Sequence, residues 1–206
     1  TPKPYDTPKL PGIKMQLDVK YVPKDCYVGK TDEKFYQYTI IDEATRERFI
    51  YAYNSHDSFT TVDFVLRSII YFGYIPEIIQ TDNGFEFTNN REKSDKSLHL
   101  FDELCKELNI VHKLIKPRTP RHNGKVERSH RNDQERFYSF LSFFSLDDLN
   151  IQMKAYLKRS NNIPSSSINW MTPIEKRESL INTKHSNKSL FPIFEKTIFN
   201  SIVSHY

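Results

Sequence analysis

Cysteine is almost missing from this chain, where Cys26 and Cys105 are the only two. Two are too few for a disulfide scaffold, and no CxxC spacing suggests a zinc site. A reducing cytosol is therefore the expected setting. Long apolar runs are missing too. None reaches the ~18 residues of a membrane span, and nothing has the build of a secretory signal. No internal repeat is found. The net charge is +4, which by itself says little about partners.

What is there is more telling. The 206 residues fit one domain with tails and can bury a proper core. With 15 Phe and 12 Tyr, much of that core is expected to be aromatic. The basic residues are unevenly spread. Lys113, Lys116, Arg118, Arg121, Lys125, Arg128 and Arg131 fall in one stretch, with Glu127 as its sole acid. A clustered basic stripe is the footprint of a phosphate-backbone binder. A charge run alone is ordinarily a solvated surface, but the lone carboxylate fits that reading less well.

Along the chain, Thr1 to Gly12 is rich in Pro, Lys and Thr and reads as an extended lead-in. Met15, Leu17, Val19 and Tyr21 alternate with Gln16, Asp18 and Lys20, the pattern of a half-buried strand. Phe35–Asp42 and Glu47–Tyr53 predict two more strands, joined by a short hairpin connection, Glu43 to Arg46. Asp57 or Ser58 can cap a helix that Gly73 stops. Ile75 to Thr81 reads as a buried strand, Asn89 to Ser97 as an exposed loop, Leu98 to Leu108 as a second helix and Ile110 to Leu114 as a fifth strand. Lys116 to His122 reads as a loop. Asn123 then caps a third helix, with Phe137, Phe140, Leu141 and Phe144 as an inner stripe further along. Leu146 to Leu157 is a fourth helix. Thr172, Pro173 and Glu175 form a capping box. The order β-β-β-α-β-α-β-α implies an α/β fold, a mixed five-stranded sheet flanked by helices. The expected divisions are a lead-in over 1–13, a core over 14–145 and a helical extension with a tail over 146–206.

Three acids then fall in distinct settings. Asp18 lies mid-strand, Asp82 ends a strand at the turn Thr81-Asp82-Asn83-Gly84, and Glu127 opens a basic helix. Taken singly, these are a solvated strand residue, a turn former and a residue that suits the helix dipole. Taken together, separated acids brought close by folding suit phosphodiester chemistry. That chemistry runs well between two divalent cations about 3.5–4 Å apart, which clamp the attacking and leaving oxygens. Mg²⁺ prefers hard oxygen ligands and keeps several waters, so two or three carboxylates suffice. His112 and His130 read as strand-pairing and surface residues, Cys105 as core, and Trp170 as a packing residue over the short capped helix.

Three segments carry a resemblance: Gln16-Leu17-Asp18, Gln80 to Phe87 in the order QTDNGFEF, and His122 to Arg128 in the order HNGKVER. In order, they resemble the acidic motifs of the DDE transposase and retroviral integrase catalytic core, over about Lys14 to Tyr138. Tyr156 to Ile163 followed by Met171 to Glu175 resembles the segment after the core of bacterial insertion-sequence transposases. The resemblance implies an RNase H-like fold and a pair of Mg²⁺ or Mn²⁺ ions held by Asp18, Asp82 and Glu127. It implies cleavage at element ends, then transfer of the 3′-hydroxyl into target DNA. It also implies a homo-oligomeric synaptic complex and a cytoplasmic setting at the bacterial nucleoid, with no membrane. Asn123 sits where the family places a polar residue near the processed end, and Arg131 and Gln134 lie on the helix face that approaches the terminal bases. Lys116, Arg118, Arg121, His122, Lys125 and Arg128 are the remaining DNA-binding candidates. The sequence departs from the family in one spacing, because 44 residues separate Asp82 from Glu127, more than the commonest pattern has. A surface loop at Asn89–Ser97 can absorb the surplus at small entropic cost. The alternatives are an RNase H-like nuclease without joining activity and a catalytically inactive DNA-binding protein.

Overall fold

The computed structural model describes residues 7–29, 32–89, 99–115 and 124–182. Five strands form one sheet in the order β3-β2-β1-β4-β5. They are β1 (Lys14–Tyr21), β2 (Tyr36–Asp42), β3 (Arg48–Tyr53), β4 (Ile78–Thr81) and β5 (Val111–Leu114). The first three pair antiparallel as the expected meander, and β4 and β5 add in parallel. The turn between β2 and β3 is built by Asp42, whose carboxylate accepts the amides of Ala44 and Thr45 at 2.9 Å each. Arg46 completes the turn with a left-handed φ of 65°. Asp42 also accepts the amide of Gly12 at 2.7 Å, which pins the end of the lead-in to the sheet.

Helix α1 (Ser58–Phe72) begins where Asp57 accepts the amide of Thr60. It ends at Gly73 with a φ of 75°, the left-handed stop that glycine supplies without a Cβ clash. Helix α2 (Leu100–Glu107) packs beside it. Together they cover one sheet face over Met15, Leu17, Tyr38, Ile40 and Ile79. The opposite face is covered as well. Helix α3 (Gly124–Arg136) lies on β1 and β2, and α4 (Leu146–Ser160) lies on β3. Leu149, Met153 and Leu157 of α4 meet Ile50 and Ala52 of β3 in a second core. Helix α5 (Pro173–Asn182) opens with the expected capping box: Thr172 and Glu175 exchange hydrogen bonds of 2.8 and 3.1 Å.

Three local expectations are corrected. The half-buried reading of β1 fails because helices cover both faces, so Gln16 is buried as fully as Met15. The inner stripe beyond α3 also shifts. That helix ends at Arg136, a 3₁₀ turn follows at Tyr138–Phe140, and Tyr138, Leu141 and Phe143 face inward. Phe140 and Phe144 are exposed. The 3.6-residue period does not carry through a broken helix. Trp170 is 74% exposed rather than packed. The loops expected at Asn89–Ser97 and Lys116–His122, apart from Asn89, lie outside the described residues.

Candidate active site

Strand register brings the first two acids together. β1 and β4 pair in parallel as Lys14 with Ile78, Met15 with Ile79 and Gln16 with Gln80. Asp18 and Asp82 each follow the last of these pairs by two residues, and the field of Asp82 raises the Asp18 carboxyl. Asp82 lies just past β4 in a turn it builds itself, accepting the amide of Gly84 at 2.9 Å. Asn83 secures the turn by donating to the carbonyl of Ile115 at 3.0 Å. Beneath it, the Thr81 hydroxyl meets Nε2 of His112 at 2.8 Å, and Nδ1 of His112 meets Asp102 at 2.6 Å. His112 is thus a buried tie between β4, β5 and α2.

The third acid arrives on α3, whose placement depends on Gln16. The Oε1 of Gln16 accepts the amides of Lys125 and Val126, at 3.2 and 3.1 Å. These are among the first amides of a helix, which have no partner within it. Nε2 of Gln16 donates to Glu43 at 2.8 Å, and Lys125 Nζ reaches the same carboxylate at 2.7 Å. Further along α3, buried Asp133 accepts from Gln37 at 2.8 Å and Tyr156 at 3.0 Å, and pairs with buried Arg48 at 2.7 Å. Arg48 also donates to Ser129 at 2.8 Å. The helix is almost wholly polar and is held on the sheet by this network, with Val126 as its buried apolar residue.

The electrostatics converge on Asp18. Burial first, then the field of Asp82, push its carboxyl from 3.8 up to about 7. The Val19 amide opposes the rise, and Glu127 and Glu86 add to it. Glu86 is itself pushed up, by burial and then by Asp82. The imidazole of His130, with Nδ1 at 3.4 Å from Asp18, brings no positive charge. Burial drives the His130 ring down to about 4, and its Nε2 is buried without a hydrogen-bond partner. Among the described residues, no three acid, imidazole or thiol groups stand close enough to hold one ion. The acids act on each other through their field rather than by contact.

This donor set fits hard divalent cations. It offers carboxylate oxygens from a strand, a turn and a helix, and among the described residues no cation lowers the Asp18 carboxyl. Asp18, Asp82 and Glu127 are described. Of the DNA-binding candidates, Lys125, Arg128, Arg131 and Gln134 lie on α3, the last three exposed. Lys116, Arg118, Arg121, His122 and Asn123 lie outside the described residues. Tyr138 is buried and donates to Gln37. The sequence assigns no role to Glu86, Gln16, Glu43, Arg48 or Asp133, and His130, expected at the surface, has a side chain only 14% exposed. For Glu86 and His130 a signal was present: each follows a candidate acid at helical spacing. Among the described residues, no helix is long and apolar enough to cross a membrane.

An integrase core domain model matches residues 8–120, and a second integrase core domain model matches residues 108–173. A protein of Spiroplasma virus SpV1-C74 named integrase ORF3 is 33% identical over 175 residues, covering 81% of this chain and 48% of its own length. A protein of Geobacillus stearothermophilus named as transposase for insertion sequence element IS5376 is 27% identical over 173 residues, covering 84% of this chain and 42% of its own. The chain therefore spans about half the length of these relatives, or less. The HTLV-2 integrase catalytic core domain in complex with magnesium superposes with a TM-score of 0.60 at 22% identity, over 82% of this chain and 97% of that one. A chain of the simian T-cell lymphotropic virus intasome gives 0.65 at 20% identity, over 92% and 60%. These superpositions identify the fold as RNase H-like, that of retroviral integrase cores. The chain belongs to the integrase core domain family.

Proposed function

We propose that this chain is the catalytic part of a DNA transposase or integrase. In this reading it cleaves DNA at element ends and joins the resulting 3′-hydroxyl to target DNA. Family membership supports DNA integration or transposition in general. The observation that carries the finer reading is the state of Asp18: desolvated, under the fields of Asp82, Glu127 and Glu86, and beside an imidazole held neutral. Carboxylates that raise one another in this way suit a bound cation.

Asp18, Asp82 and Glu127 would hold Mg²⁺ or Mn²⁺, a pair of ions in the full complex. When bound, the ions lower the charge of the phosphate and activate the attacking oxygen. The chain's own part is positioning. β1 carries Asp18, the turn after β4 carries Asp82, and Gln16 sets where the helix bearing Glu127 begins. Arg131 and Gln134 follow Glu127 along α3 and would hold the strand end in line. The attacking groups are water and then a DNA hydroxyl, so no covalent protein–DNA intermediate is required. DNA and further copies of the chain are the partners this reading needs.

Asp18→Asn, Asp82→Asn and Glu127→Gln test it. Each is expected to lose metal-dependent cleavage and joining by at least about 10²-fold while keeping its fold by circular dichroism. Full activity in any one removes that residue from the mechanism. Cleavage without joining of pre-cut ends would leave a nuclease.

A further inference from the structure

A cleft of about 710 Å³ opens on the flank of α3 that faces the C-terminal segment. Lys125, Arg128, Arg131 and Arg136 line it from the helix, and residues 163–167, Trp170 and Pro173 form the other wall. Among the described residues, no carboxylate lines it. The α3 arginines are exposed. Arg131 follows Glu127 by one helical turn and lines the cleft.

Trp170 is the unexpected component. It is the chain's one tryptophan, and it is 74% exposed. Its backbone is left-handed, with φ 62° directly after Asn169 at 59°. Asparagine tolerates that region, but a bulky side chain such as tryptophan does not. The strain is locked in from both sides. The amide of Trp170 donates to the carbonyl of Ser165 at 2.9 Å, and that of Ser165 to Met171 at 3.0 Å. Strained backbone held by its surroundings marks functional positions. Here its effect is to present an indole to solvent across from a row of arginines. A basic wall facing an aromatic platform is how proteins bind unpaired nucleic acid, since every base has a face to stack.

We propose that this cleft binds an unpaired stretch of DNA strand, with its phosphates on Arg128, Arg131 and Arg136 and a base stacked on Trp170. The inference takes its ligand from the DNA reading above, but not the acids or the metals. It adds a second binding surface beyond the catalytic one, with Arg131 shared between them.

The lone tryptophan makes the test direct. Its emission is followed while the full chain is titrated with a short oligothymidylate, with chelator present so that no metal contributes. Saturable quenching is expected. Trp170→Ala should weaken oligonucleotide binding, read by anisotropy, by about 5- to 100-fold, and Trp170→Phe should restore much of it. Trp170→Gly relieves the left-handed strain and should raise the melting temperature while lowering affinity, which a purely structural tryptophan would not do. The double variant Arg128→Ala/Arg136→Ala should bind more weakly and with a shallower salt dependence. Anisotropy that reports binding while the emission stays constant would overturn the proposal. So would quenching reproduced by inorganic phosphate at an equal concentration of phosphate groups. Asp18→Asn/Asp82→Asn should keep the quenching. Quenching without metal-dependent cleavage would sink the catalytic reading alone, and cleavage without quenching would sink this one alone.

Discussion

At the residue scale, Asp18 is expensive for the metal-free protein. Its carboxyl titrates near 7 in the fold, against about 3.9 in an unfolded chain. A raised acid stabilises the fold in its protonated form. That contribution is complete below about pH 4 and disappears as pH rises through about 7. Between pH 5 and pH 8 the loss from this one group is about 2–3 kcal/mol, at 1.36 kcal/mol per unit. Asp18→Asn removes the loss, because the amide never ionises. Urea unfolding in chelator at both pH values is expected to show the unsubstituted chain losing that much more stability than the variant. Equal losses would mean that Asp18 is not strained in this way. Glu86 carries the same sign and is common to both proteins, so it cancels from the comparison. Such a cost near neutral pH is what the proposed role of Asp18 as a cation ligand would offset when the ion is bound.

At the element scale, α3 shows what a sequence conveys and what it hides. The candidate acids were legible because motif and spacing act locally. Asp82 makes its own turn with Gly84, and Glu127 stands out as one acid among bases. The strands and the outlines of α1 were legible from period and caps, down to Asp57 and Gly73. The anchoring of α3 was not. Gln16, Gln37 and Arg48 lie on three separate strands and reach α3 only after the sheet has formed. A polar residue on a strand looks the same whether it faces water or a polar helix, so alternation alone assigned Gln16 to solvent. The network also sets a stability prediction. Asp133 is the partner of buried Arg48 at 2.7 Å, and Asp133→Ala leaves that cation without its carboxylate. Breaking one side of a buried pair costs about 3–5 kcal/mol. Chemical denaturation should show a loss of that order, against at most about 1 kcal/mol for an exposed control such as Glu135→Ala. A loss confined to the control's range would mean that apolar contacts, not these ties, hold the helix. Because α3 bears Glu127, the same variant should lose catalysis in parallel with its helix.

At the scale of the whole molecule, the question is where the catalytic unit ends. The sequence suggests a boundary after residue 145, where the resemblance to the acidic motifs has run out and a plain amphipathic helix begins. The packing gives a reason to test that boundary. Helix α4 covers β3, and Leu149, Met153 and Leu157 are 0%, 1% and 5% exposed. Burying three such side chains is worth about 5–9 kcal/mol at roughly 1.5–3 each, as much as a typical domain's entire net stability of about 5–15 kcal/mol. Removing α4 would also strip Ile50 and Ala52 of cover and take Tyr156 from Asp133. Antiparallel sheets can leave one face to water, but only when that face is polar, and this one carries an apolar core. The extension is therefore expected to fold with the core rather than follow it. A chain ending at residue 145 should give a broad, low-amplitude thermal transition and bind a hydrophobic dye. One ending at residue 182 should melt cooperatively. A cooperative transition from the shorter chain would place the boundary where the sequence suggests it. If the longer chain alone melts cooperatively, helix α3 owes its position to a segment outside the three motifs, and the cleft bearing Trp170 is part of the same folding unit as the acids.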